Sequence, residues 1–182
     1  MTETLLTQTE EIERMVVYAV GEVSRTMLGI EAKLDFRRKV NKGDVSESPL
    51  EEDDSGIVFG NVGFVGIASG MVYFGMTAST AQRVAAKMLD MSIAEVSDGH
   101  ALVNDVMGEL SNMTAGAFKN QLCDRGYNCR LSIPSIIRGK YFVVEGDEAE
   151  LREIYSFKLG EETVVFELFM KLDRDSDDDG RL

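Results

Sequence analysis

No tryptophan occurs in this chain, and only one histidine, two cysteines and two prolines do. With His100 as the single imidazole, mechanisms that need a histidine pair and metal sites built on several imidazoles are excluded. Cys123 and Cys129 lack both the tight spacing and the companion His or Cys of a zinc or thioredoxin-type site, so they are read as free thiols in a reducing compartment. Positive charge is also scarce: 19 Lys and Arg against 32 Asp and Glu leave a formal charge of −13. A surface that acidic repels phosphate backbones and anionic headgroups, so neither nucleic acid nor a membrane surface is an expected partner. The opening Met1-Thr-Glu-Thr-Leu-Leu is acidic where a secretory signal is basic, which predicts a cytoplasmic protein.

What the chain does contain is ordinary globular material. Hydrophobic residues make up 44% and charged residues 28% of 182 positions, enough apolar surface for one packed core and too much for a disordered chain. A single domain over residues 1–172 is expected, followed by an acidic tail at 173–182. In that tail Asp175, Asp177, Asp179 and Gly180 have the spacing of the first half of a calcium loop, but no closing glutamate follows, and a solvated, disordered tail is the reading adopted.

Residues 55–82 carry no charge, which raises the question of a membrane span, and Gly66 and Gly70 even have the spacing of a helix-dimer motif. Glycines at 60, 63, 66, 70 and 75 argue against it, since each costs a helix about 1 kcal/mol relative to alanine. Two buried strands over 57–65 and 70–76 fit the same residues better.

Apolar residues three and four apart predict a helix over about 9–28, stopped by Gly29. A strand over 32–39 is expected to turn Ala32, Leu34 and Phe36 to one face, and 41–56, with Pro49 and the run Glu51-Glu52-Asp53-Asp54, reads as an exposed loop. Thr77 and its neighbours supply caps for a helix over about 80–91, a longer helix covers about 98–123, and 129–172 reads as three or four antiparallel strands. The implied fold is a two-layer α/β domain, a largely antiparallel sheet with long helices packed on one face.

On the wheel of the long helix, Asp105, Glu109, Asn112 and Gly116 fall within an arc of about 60°, while Val103, Val106, Met107, Leu110, Met113, Ala117 and Phe118 lie opposite. The apolar face must be buried, so the polar stripe points outward. Asparagine and glycine are poor helix formers for a solvated face. Gly108 and Gly116 would leave room for another protein surface to approach, although a plain solvated face remains a possible reading of these residues alone.

Taken with Pro134, the spacing Asp105, Glu109, Asn112 resembles the signature of the CheC/CheX/FliY phosphatases of bacterial and archaeal chemotaxis: an acidic or hydroxyl residue, three residues, Glu, two residues, Asn, and a later proline. The flanks Gly-Glu-Leu-Ser-Asn-Met-Thr-Ala-Gly and Leu-Ser-Ile-Pro-Ser-Ile-Ile-Arg-Gly are similar to those of the CheX branch. CheC-type members carry the signature twice. Here the first helix offers Tyr18, Glu22 and Arg25, with arginine in place of the amide, as in a CheX-like protein with one active helix.

The resemblance implies a phosphatase that hydrolyses the phosphoaspartate of a CheY-like response-regulator receiver domain in a two-component pathway. It implies Asn112 orienting the attacking water, Glu109 docking against the receiver's lysine, and Asp105 and Gly116 in the partner contact. No metal or cofactor of the chain's own is implied, the Mg2+ belonging to the receiver, and a homodimer is expected. Two other readings stay open: a CheX-like module that binds a receiver without catalysis, and a scaffold like the flagellar-switch members.

Ten residues dominated by aspartate bury too little area to offset their ordering entropy. Deleting residues 173–182 should therefore leave the melting temperature nearly unchanged, with or without calcium, in a thermal shift measurement. A calcium-dependent rise that disappears with the deletion would restore the calcium-loop reading.

Overall fold

The computed structural model describes residues 2–44, 48–50, 55–97, 100–140 and 149–172; the acidic tail, the run at 51–54 and the turn at Gly146 lie outside them. The elements in order are α1 (Thr2–Val23) continuing as a π-helical turn (Ser24–Leu28), β1 (Ala32–Lys39), β2 (Ile57–Gly66), β3 (Ala68–Thr77), α2 (Ala78–Leu89), α3 (Ile93–Ser97), α4 (His100–Cys123), β4 (Cys129–Leu131), β5 (Ser135–Gly139), β6 (Leu151–Leu159) and β7 (Glu162–Leu172). Among the described residues seven strands form one sheet in the order β1-β6-β7-β3-β2-β4, with β5 also paired to β2. Every pairing is antiparallel.

Local chemistry sets the boundaries. Gly29, at φ 63°, ends the first helix in a left-handed cap that glycine adopts without strain, its N–H donating to the Arg25 carbonyl and the Ile30 N–H to the Ser24 carbonyl. Thr77 caps α2, its hydroxyl accepting from the Thr80 N–H. The uncharged stretch forms the β2–β3 hairpin, paired from Ile57↔Thr77 to Phe64↔Gly70, and among the described residues no helix is long and apolar enough to cross a membrane.

The alternation expected for β1 breaks in its middle. A bulge between Leu34 and Phe36 shifts the register against β6, so Phe36 turns outward and Arg37 is the partly buried residue instead. Arg37 donates to Glu13 of α1 at 2.7 Å and lies 3.5 Å from the fully buried Glu153 of β6. Glu153 also accepts a hydrogen bond from the Tyr155 hydroxyl. Burial pushes the Glu153 carboxyl above its ordinary range, while Tyr155 and Arg37 pull it back.

Strand side chains alternate between two unequal cores. Val58, Val62 and Phe64 of β2 face the helices and join Met15, Val16, Ala19, Met107, Leu110 and Phe118 in the main core. Ile57 and Phe59 point the other way, into a smaller cluster with Val40, Leu50, Ile154 and Val165. On that second face Arg152 is paired with Glu167 at 2.8 Å and stacked over the Phe169 ring.

Helix α4 lies unusually close to β2. A Cβ on Gly60 would stand 2.0 Å from the Ser111 hydroxyl oxygen, 2.6 Å from Ser111 Cβ and 3.2 Å from the Met107 carbonyl. Further along, Phe118 meets Phe64 and Phe166 edge-on, at centroid distances of 6.2 and 5.7 Å. Gly60→Ala should therefore destabilise the protein by about 1–3 kcal/mol, because the helix must retreat from a packed core. Removing the colliding side chain with Ser111→Gly should recover part of that loss, so a double-mutant cycle in urea should give a favourable coupling energy; strict additivity would refute the contact.

Candidate functional site

The buried face of α4 consists of Val103, Val106, Met107, Leu110, Ser111, Thr114, Ala115, Phe118 and Leu122. Ser111 and Thr114 satisfy their hydroxyls by donating to the Met107 and Leu110 carbonyls, at 2.6 and 2.7 Å, so both can sit in the core. With that face held against β2, Asp105, Glu109 and Asn112 are exposed in one outward row, and Gly116 continues it half-exposed. None of the three polar side chains makes a hydrogen bond or ion pair with another described residue. A carboxylate and an amide one helical turn apart thus remain open to a partner.

The two glycines of the helix have different surroundings. A Cβ at Gly116 would meet nothing within 4 Å, which leaves the helix backbone open to a close approach. A Cβ at Gly108 would lie 4.0 Å from Ile136 Cδ1, so that position faces β5 and the space expected there for a partner belongs to the molecule's own packing. One exposed residue of the row escaped the sequence reading. Leu102 lies three residues before Asp105 on the same face, and its signal was the continued spacing of 102, 105, 109 and 112.

The edge of the sheet runs beside this helix. Pro134 precedes Ser135, which pairs with Asn61, the neighbour of the Gly60 that underlies Ser111. The fold therefore brings Pro134 to the sheet edge next to the helix that carries Asp105, Glu109 and Asn112. Arg138 of β5 ties the strand to the helix by donating from Nε to the Asn104 Oδ1 at 2.6 Å. Burial lowers the affinity of its guanidinium for the proton.

On α1 the corresponding residues are arranged differently. Tyr18 is exposed, and Glu22 is held by Arg25 at 2.6 Å, its carboxylate already engaged within its own helix. The change to a π-helical turn at Ser24 also shifts the register directly after Glu22. At the far end of α4, Cys123 and Cys129 are free, and burial pushes the Cys129 thiol up to about 11, which keeps it protonated and unreactive at neutral pH.

The family model for chemotaxis phosphatase CheX matches residues 58–163, a span that contains all of α4 together with β5 and β6. The chain belongs to the CheX family. No curated protein matches the sequence. Among solved structures, the chemotaxis protein CheX of Desulfovibrio desulfuricans is 23% identical, with a TM-score of 0.69 over 88% of this chain and 99% of that one. CheX of Vibrio vulnificus is 22% identical, with a TM-score of 0.70 and the same two coverages. The structure of a complex of CheX, CheY, BeF3 and Mg2+ from Borrelia burgdorferi matches at 21% identity and a TM-score of 0.66, covering 87% of this chain and 96% of that one. These likenesses establish a shared CheX fold over most of the chain.

In this CheX-family domain the Gly116 position is a helix interior with no neighbour to justify glycine by packing. Gly116→Ala should raise stability by about 0.5–1 kcal/mol through backbone entropy alone. A shift of the urea midpoint to higher concentration, with an unchanged slope, is the expected result.

Proposed function

We propose that this chain is a phosphatase that hydrolyses the phosphoaspartate of a CheY-like receiver domain, with α4 entering the receiver's phosphorylation cleft. The observation that carries the reading is the outward row on α4, where Glu109 and Asn112 stand exposed and unpaired among the described residues, with Gly116 open beside them. Membership of a family described as chemotaxis phosphatases, and the solved complex of a relative with CheY, support the substrate class.

The receiver brings its own Mg2+ and lysine, which neutralise the phosphoryl oxygens, so this chain has to supply position rather than charge. Asn112 holds a water in line with the bond between phosphorus and the aspartyl oxygen. Its amide can accept from the water and donate to the phosphoryl group without titrating near neutral pH. Attack of the water oxygen on phosphorus breaks that bond and leaves inorganic phosphate and the free aspartate carboxylate. Glu109, one turn earlier, pairs with the receiver's lysine and sets the register of the helix in the cleft. Asp105 makes a contact at the rim.

A homodimer belongs to the same reading. Since β2 and β3 lie inside the sheet, a sheet-edge interface would fall on β1 or on the β4–β5 side.

Asn112 and Glu109 should fail in different ways. Asn112→Ala removes water positioning alone, so catalysed phosphate release should drop to the receiver's own rate while affinity for a beryllofluoride-activated receiver persists. Glu109→Ala removes a charge-assisted contact made on docking, and affinity should weaken by about 1–3 kcal/mol. Both variants should melt normally, since neither touches the core. Wild-type release rates from Asn112→Ala would overturn the mechanism and leave a receiver-binding module in its place.

A further inference from the structure

Ile133 is the most exposed large hydrophobic residue among those described, at 88%. Its backbone is nevertheless held on both sides. The Ser132 N–H donates to the Gly63 carbonyl at 2.8 Å, and the Gly63 N–H donates back to the Ser132 hydroxyl at 2.9 Å. Pro134 follows with its φ restricted, and Ser135 is already paired in the sheet. An apolar side chain is thus presented to water from a fixed point of the surface.

That point is beside the functional helix. Leu131 pairs with Phe64 and Ser135 with Asn61, so the β4–β5 connection runs alongside Val62 and Gly63. Helix α4 crosses the same stretch of β2, with Ser111 over Gly60 and Phe118 against Phe64. Ile133 therefore flanks the part of α4 that carries Asn112 and Gly116.

We infer that Ile133 is a specificity-determining docking residue, which seats in an apolar depression of the receiver's surface bordering the phosphorylation cleft. This rests on the phosphatase reading above. In that reading Glu109 and Asn112 address a lysine and a phosphoryl group that every phosphorylated receiver has, so they cannot tell one receiver from another. An apolar contact outside the cleft can, because it gains affinity only where the partner has a matching pocket and is excluded where a charge stands there. Burying one isoleucine side chain corresponds to roughly a 10- to 100-fold gain in affinity.

The test uses the full chain with the CheY of its own organism, activated by beryllofluoride and Mg2+ for affinity and phosphorylated for single-turnover release. Ile133→Asp should raise the dissociation constant at least tenfold and leave the release rate at saturating receiver unchanged, whereas Ile133→Leu should bind nearly as well as wild type. Because the side chain is almost wholly in water, both variants should melt as wild type does. If Ile133→Asp binds with wild-type affinity while Asn112→Ala abolishes release, the docking role is wrong and the phosphatase reading stands. A fall in the saturated rate at unchanged affinity would also overturn the docking role. If the wild-type chain binds without releasing phosphate, and Ile133→Asp still weakens binding, the docking role holds and the phosphatase reading falls. If the wild-type chain neither binds nor dephosphorylates that receiver, both are overturned.

Discussion

The absent side chain of Gly60 lets α4 settle onto β2 with the Ser111 hydroxyl and the Met107 carbonyl in space that any other residue would fill. Successive helix residues are about 100° apart, so a helix pinned at Ser111 has its rotation pinned everywhere. Asp105, Glu109 and Asn112 are outward because Met107, Leu110, Ser111 and Thr114 are inward. Rotation of the helix by one residue would bury the amide of Asn112, at a cost of several kcal/mol without a partner. The aromatic contacts of Phe118 with Phe64 and Phe166 hold the second half of the helix to the same sheet.

The two long helices share a core and differ in how their outward charges are used. On α1, Glu13 is bound by Arg37 and Glu22 by Arg25, the first of these pairs linking the helix to the buried Glu153 on β6. The Glu13 pair helps place α1 on the sheet, and both pairs leave their carboxylates engaged. On α4 the corresponding groups have no described partner, and the nearest cation of β5, Arg138, is directed to Asn104 instead. The difference between a structural helix and a candidate functional one lies in which carboxylates the protein has already neutralised.

Much of the site was legible in one dimension, because helical periodicity maps sequence spacing directly onto a face. The exposed row on α4 followed from that arithmetic, and the buried face was its necessary complement. Leu102 was legible by the same rule. The short helix α3 is absent from the helices expected above, although its capping spacing marks it: the Ser92 N–H donates to Glu95 at 2.9 Å and the Glu95 N–H to Ser92 at 3.3 Å. The bulge in β1 was not legible, since Leu34, Asp35 and Phe36 alternate normally in sequence and the register shift arises only against β6. Nor was the role of Gly108, whose neighbour Ile136 is distant in the chain and adjacent only after β5 pairs with β2.

By itself, then, the sequence determined the long helices, the β2–β3 strands, the sheet's antiparallel character and the composition of the α4 face, because these depend on residues within a few positions of one another and on periodicities of 3.6 and 2. The order of strands, the seating of α4 over Gly60, the separate second core and the placing of the β4–β5 connection, with Ile133 and Pro134, alongside the stretch of β2 under α4 were decided only by tertiary structure. Each depends on contacts between segments far apart in the chain. Such contacts are selected by which surfaces can bury each other, and local pattern carries no record of that choice.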